Sequence, residues 1–153
     1  MTTATIQRKV PYDLSGYTPH PGQRLFHRSK ARFRVLACGR RWGKDMACEY
    51  EALHLIPAML ERNRGKGLVP TVLIWDVSPT FPISEQAWAE YKVFMPPGFI
   101  EDIREGDKCI KGMGGVQLWM KTAADPEHLV GAGLDLLVVR EAAMIAEEAW
   151  TTG

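Results

Sequence analysis

The feature that most constrains this chain is the loop Cys38-Gly39-Arg40-Arg41-Trp42-Gly43-Lys44-Asp45. Before it, Phe33-Arg34-Val35-Leu36-Ala37-Cys38 reads as a strand. After it, Gly43 to about Leu60 reads as a helix, with Met46, Ala47, Tyr50, Leu53, His54 and Ile56 recurring near period 3.6. Glycine lets backbone N–H groups close on an anion, and a helix N-terminus adds partial positive charge. Lysine at the helix start adds a point charge. Strand, glycine-lysine loop and helix in that order have the shape of a phosphate-binding loop. Two positions depart from G-x-x-x-x-G-K-[ST]: Cys38 replaces the first glycine, and Asp45 replaces the hydroxyl that binds Mg²⁺. Asp45 is itself a candidate metal ligand, because carboxylates suit Mg²⁺, and it also suits a helix N-terminus.

Charge is balanced in total and segregated along the chain. Nineteen Lys and Arg against eighteen Asp and Glu exclude a wholesale basic coat or an acidic tail. Yet His20 to Lys44 holds eight bases and no acid, whereas Asp125 to Glu148 holds six acids and one base, Arg140. Three cysteines, far apart and without metal-ligand spacing, suggest a reducing compartment and no disulfide framework. No apolar run approaches the roughly 20 residues of a membrane span, and Met1 to Pro11 lacks a signal-peptide core. The expectation is a soluble, intracellular α/β protein.

The remaining elements follow from pattern. Residues 1–16 read as a polar arm, and Gln23 to Ala31 as a short helix after the turn Tyr17-Thr18-Pro19-His20-Pro21-Gly22. Thr71 to Val77 is a continuously apolar, β-branched strand. Ser84 caps a helix running to about Val93. Lys108 to Lys111 and Val116 to Met120 form a hairpin through Gly112, Gly114 and Gly115. Asp125-Pro126 opens a short helical turn. Leu134 to Val139 is a buried strand, followed by a helical segment from Ala142. Strands alternating with helices argue for a mostly parallel sheet. Trp75, Trp88 and Trp119 read as core or sheet-face residues, and the four histidines do not cluster.

The strand Leu134-Asp135-Leu136-Leu137-Val138-Val139 ends in Arg140-Glu141. A buried strand ending in acids has the shape of a Walker B element, in which one acid organises Mg²⁺ and the next activates water. Glu141 stands in the base position and Arg140 in the metal-acid position.

Taken together, Pro19-His20-Pro21-Gly22-Gln23, Gly39 to Asp45, Ser78-Pro79-Thr80, Val130-Gly131 and Val138 to Ala143 resemble the large subunit of a tailed-phage terminase. That subunit is the ATP-driven motor that packages DNA into a procapsid. The match covers its N-terminal ATPase part over roughly residues 15–150. The resemblance implies a P-loop NTPase fold of the RecA-like ASCE type, a mostly parallel α/β sheet with flanking helices. It divides the chain into an arm, 1–16, and an ATPase domain, 17–153, incomplete at its C-terminus. It implies ATP and Mg²⁺ as cofactors. Gln23 matches the adenine-reading glutamine. Gly39, Arg41, Gly43 and Lys44 match the nucleotide loop, and Asp45, at the position of its metal-binding hydroxyl, is the candidate metal ligand by its own carboxylate chemistry. Arg40 matches the arginine on the γ-phosphate, and Glu141 the catalytic glutamate. Ser78-Pro79-Thr80 resembles the motif linking nucleotide to DNA. Implied partners are double-stranded DNA, a portal protein and a terminase small subunit, with the full-length chain in a ring of copies in the host cytoplasm.

Arg140 departs from this pattern. Two like unit charges ~4 Å apart repel by about 4 kcal/mol at intermediate screening, so a guanidinium beside Mg²⁺ is disfavoured. Replacing Arg140 by Asp is therefore expected to favour Mg²⁺-dependent turnover, and the natural chain alone to turn over ATP weakly. Two other classes stay open: an ATP-binding fragment without turnover, and a helicase-like ATPase of another family.

Overall fold

The computed structural model describes residues 16–151. All but the last residue of the expected arm, 1–16, lies outside them. Helix α1 (Pro21–Arg28) starts on a reciprocal cap: the His20 ring accepts from the backbone N–H of Gly22 and Gln23, and Gln23 returns its side-chain oxygen to the His20 N–H. Pro21 at the first helical position needs no N–H partner. Helix α2 (Lys44–Asn63) begins after Gly43, with no side-chain cap. Of the face that the spacing predicts, Ala47, Tyr50, Leu53 and Ile56 are buried, together with Met59, whereas Met46 and His54 are exposed.

Strand β1 (Val72–Ser78) is followed by α3 (Phe81–Phe94), β2 (Ile100–Arg104), β3 (Cys109–Gly112), β4 (Val116–Thr122), β5 (Leu136–Val139) and α4 (Glu147–Thr151). Single 3₁₀ turns lie at Pro97–Phe99, Pro126–Leu129 and Ala142–Met144. The sheet order is β2-β3-β4-β1-β5. Strand β1 runs parallel to β4 and β5, whereas β2, β3 and β4 form an antiparallel meander. The sheet is mixed, and its parallel part is the half that carries β5. Helices α2 and α3 cover one face, around Leu53, Ile56, Ile74, Trp88, Tyr91, Ile110 and Leu118. The other face holds a smaller cluster around Trp75, Val77, Trp119, Leu134 and Ala149. Trp75, Trp88 and Trp119 sit in or against these clusters, as the core or sheet-face residues expected.

Three expectations need correction. Phe33 to Cys38 forms no strand and joins no ladder. The apolar run has no strand beside it among the described residues, so Phe33 and Val35 stand 83% and 90% exposed. Ser84 does not cap a helix; α3 begins at Phe81, and the Ser84 hydroxyl donates back to the Phe81 carbonyl within its first turn. The acidic strand is not buried throughout: β5 is the sheet edge, with Leu137 exposed. Strand β2 was not expected at all, because its residues after Ile100 are mostly polar and solvent-facing. Among the described residues, no helix is long and apolar enough to cross a membrane.

Candidate functional site

The loop before α2 and the end of β5 meet. Gly43 has φ +79, a left-handed conformation that favours glycine, and it hands the chain to Lys44 at the first position of α2. With no side-chain cap, the N–H groups of the first helical turn are left for an incoming anion. Nothing lies within 4 Å of where a side chain at Gly39 would begin, so the loop is open there. Arg40 and Arg41 are exposed, and Arg41 is held at φ 61, a strained value for a residue with a side chain.

Lys44 Nζ is 2.9 Å from Glu141 Oε1 and 3.7 Å from Asp45 Oδ2. The bond from Glu141 holds the ammonium above its usual pKa, against a smaller opposing effect of burial. Glu141 itself has φ 45, so the strand end is bent to present this carboxylate. Gly39, Gly43, Lys44, Asp45 and Glu141 therefore gather at one place, with the two loop arginines beside them in sequence. A cavity of about 260 Å³ opens next to them, lined in part by Asp45, Gln86, Glu90, Arg140 and Glu141.

Arg140 does not face this opening as a bare cation. Its guanidinium is 5% exposed and turns inward. Nε donates to Asp76 Oδ1 at 2.7 Å and one terminal nitrogen to Asp76 Oδ2 at 2.8 Å, a bidentate pair. The same nitrogen reaches Glu49 Oε1 at 2.9 Å, and the other reaches Asp45 Oδ1 at 3.4 Å. Burial disfavours the cation, and the bonds from Asp76 outweigh it, so the guanidinium is held charged. The repulsion expected between Arg140 and a metal is corrected accordingly: the guanidinium is buried and paired bidentately with Asp76, with Glu49 and Asp45 as further acceptors.

Asp76, Glu49 and Tyr91 complete this network. Tyr91 donates to Asp76 Oδ2 at 2.9 Å, and burial pushes its phenol well above its ordinary pKa. Glu49 is fully buried, with Oε2 unbonded; burial first, and then the nearby Glu90, push its carboxyl up to about 9. Sequence reading missed these residues. Signals were present: Asp76 is the lone acid inside an apolar strand, and Glu49 sits on a helix face that buries Ala52, Leu53 and Ile56.

Gln23 lies 5% exposed against the loop, and its amide is occupied by backbone groups at both ends. Ser78 is buried with its hydroxyl unbonded at the end of β1, and Thr80 precedes α3. The described residues contain no cluster of three His, Cys, Asp or Glu side chains that would hold a metal unaided. Asp45 and Glu141 nevertheless offer hard oxygen donors on either side of Lys44. That fits Mg²⁺, which is usually held by one or two carboxylates together with substrate phosphates.

No protein-family model matches the chain. The curated large terminase subunits of Thermus phage G20c and Thermus virus P23-45 are 27% and 28% identical to it, over 92% of this chain and 31% of their own length. The chain thus spans about a third of these relatives. Among solved structures, the large terminase ATPase domain of Thermus phage P74-26 is similar with a TM-score of 0.72 and 25% identity. The match covers 92% of this chain and 62% of that one, and a mutant of the same domain matches equally. The chain is homologous to phage terminase large subunits and shares the α/β P-loop fold of their ATPase domain.

Proposed function

We propose that this chain is the ATP-hydrolysing module of a phage DNA-packaging motor. The observation that carries the reading is the meeting of Lys44 with Glu141 at 2.9 Å, which joins the glycine loop to the acidic strand end. A triphosphate at the loop takes the Lys44 ammonium and the free N–H groups of α2. Glu141, released from Lys44, is then free to accept a proton from a water attacking in line. Arg40 and Arg41 supply charge to the terminal phosphate as it is transferred. Asp45 is the carboxylate placed to hold Mg²⁺, which when bound neutralises phosphate oxygens. Homology to terminase large subunits supports double-stranded DNA as the translocated substrate. It likewise supports a portal protein and a terminase small subunit as partners, a ring of copies as the working assembly and the host cytoplasm as the setting. Hydrolysis without an acid at position 140 is electrostatically reasonable here, because Arg140 is turned inward and paired bidentately with Asp76.

Calorimetry with ATP on the natural chain and on Lys44→Ala tests the loop. Loss of one charge-assisted phosphate contact, at about 1.5–3 kcal/mol, is expected to weaken binding by roughly ten- to a hundredfold. Equal affinity in both proteins overturns the assignment.

A further inference from the structure

We propose that His20, together with Gln23, is a positioning residue for the phosphate loop, serving the triphosphate and not the base. The inference rests on the nucleotide-binding reading above. His20 Nδ1 accepts from the Gly22 N–H at 3.1 Å and from the Gln23 N–H at 3.4 Å. A ring nitrogen that accepts carries no proton, so the neutral ring keeps its proton on Nε2. Nε2 faces the Trp42 carbonyl at 3.0 Å and donates to it. The ring also stands edge-on to the Trp42 indole, centroids 4.7 Å apart at 90°. Gln23 does the parallel job one residue further along: its Nε2 donates to the Gly43 carbonyl at 3.1 Å, while its Oε1 holds the His20 N–H.

Two side chains from one helix start therefore hold the carbonyls of both residues that precede Lys44. In a planar trans peptide the N–H points opposite to the C=O. Fixing the Trp42 and Gly43 carbonyls toward α1 aims the N–H groups of Gly43 and Lys44 away from it. The fit is close on both sides. A side chain at Gly43 would begin 2.8 Å from Gln23 Nε2, and one at Gly22 would begin 3.0 Å from the Trp42 ring. The Gln23 amide nitrogen also lies 3.5 Å from the Trp42 carbonyl, so both of its N–H donors face the loop and neither is free for a purine edge unless this clamp opens.

The test measures binding of Mg²⁺-ATP, Mg²⁺-GTP and inorganic tripolyphosphate to the natural chain, His20→Asn and Gln23→Glu, alongside thermal unfolding. His20→Asn keeps a side-chain acceptor at the start of α1, as Asn is a good cap, but is too short to reach the Trp42 carbonyl. Gln23→Glu keeps the acceptor for the His20 N–H and removes the donor to Gly43. Each variant is expected to weaken all three ligands by the same factor, about three- to tenfold for one lost hydrogen bond. The unfolding midpoint of His20→Asn is expected to stay close to that of the natural chain. A changed ATP-to-GTP ratio in Gln23→Glu, or unchanged affinity in His20→Asn, overturns the clamp. Tripolyphosphate binding that neither variant alters overturns it too, even if one of them unfolds more readily. Failure of the natural chain to bind any of the three overturns the nucleotide reading, and the clamp with it.

Discussion

Arg140 holds together side chains from α2, β1 and the end of β5, and each is buried or nearly so except Asp45. Removing one partner of a buried pair leaves an uncompensated charge and costs about 3–5 kcal/mol. Arg140→Asp would place a fourth carboxyl among Asp45, Glu49 and Asp76. The expected outcome is a loss of at least that magnitude in urea unfolding, with no gain in turnover. Glu49 behaves differently. Burial raises its folded-state pKa from 4.5 to about 9, so its contribution to stability is complete below 4.5 and is lost as pH rises toward 9. An amide has no such proton to lose. Across that window Glu49→Gln is expected to gain on the natural chain as pH rises, measured as the difference between their unfolding free energies. That Lys44, at the start of a helix after a glycine turn, and Glu141, at a strand end, lie together was legible because each has a fixed spacing from its element. The direction of Arg140 was not, because it depends on Asp76 and Glu49, which arrive from other parts of the chain.

Helix α2 and strand β5 are fastened to each other at both ends. At one end are Lys44 with Glu141 and Arg140 with Asp45 and Glu49. At the other, Asp135 just before β5 accepts from Arg62 and from Asn63 Nδ2 at 2.8 Å, as well as from the Leu73 N–H at 2.9 Å. Burial pushes the Asp135 carboxyl up, but those three bonds together outweigh it and hold its pKa below the ordinary 3.8. Its stabilising contribution is therefore present above that value and lost as pH falls through the lowered one. Asp135→Asn is expected to cost about 1–3 kcal/mol at neutral pH, with the gap between the two proteins closing in acid. Element types were legible wherever periodicity was strong, as in α2, or where turn glycines were decisive, as at Gly114 and Gly115 between β3 and β4. Strand status at Phe33 to Cys38 was not, because a β-rich sequence forms a ladder only where another strand lies alongside.

Across the whole molecule, the last base of the early stretch, Lys44, meets Glu141 of the late acidic stretch at the glycine loop. Both groups are partly exposed, so the pair is worth at most about 1 kcal/mol. Glu141→Gln frees Lys44 and is expected to tighten ATP binding by up to about fivefold while removing turnover. Tighter binding by calorimetry with no phosphate release in a steady-state assay is the outcome to look for; undiminished phosphate release would take the base role away from Glu141. A lysine already matched by a carboxylate is also a selective one. An anion with a single charge merely exchanges one partner for another, whereas a triphosphate brings enough charge to displace Glu141 and still engage the N–H groups of α2 and the exposed loop arginines. If the site takes a nucleotide as proposed, chloride and other simple salts gain little there, and charge number selects the ligand ahead of the base.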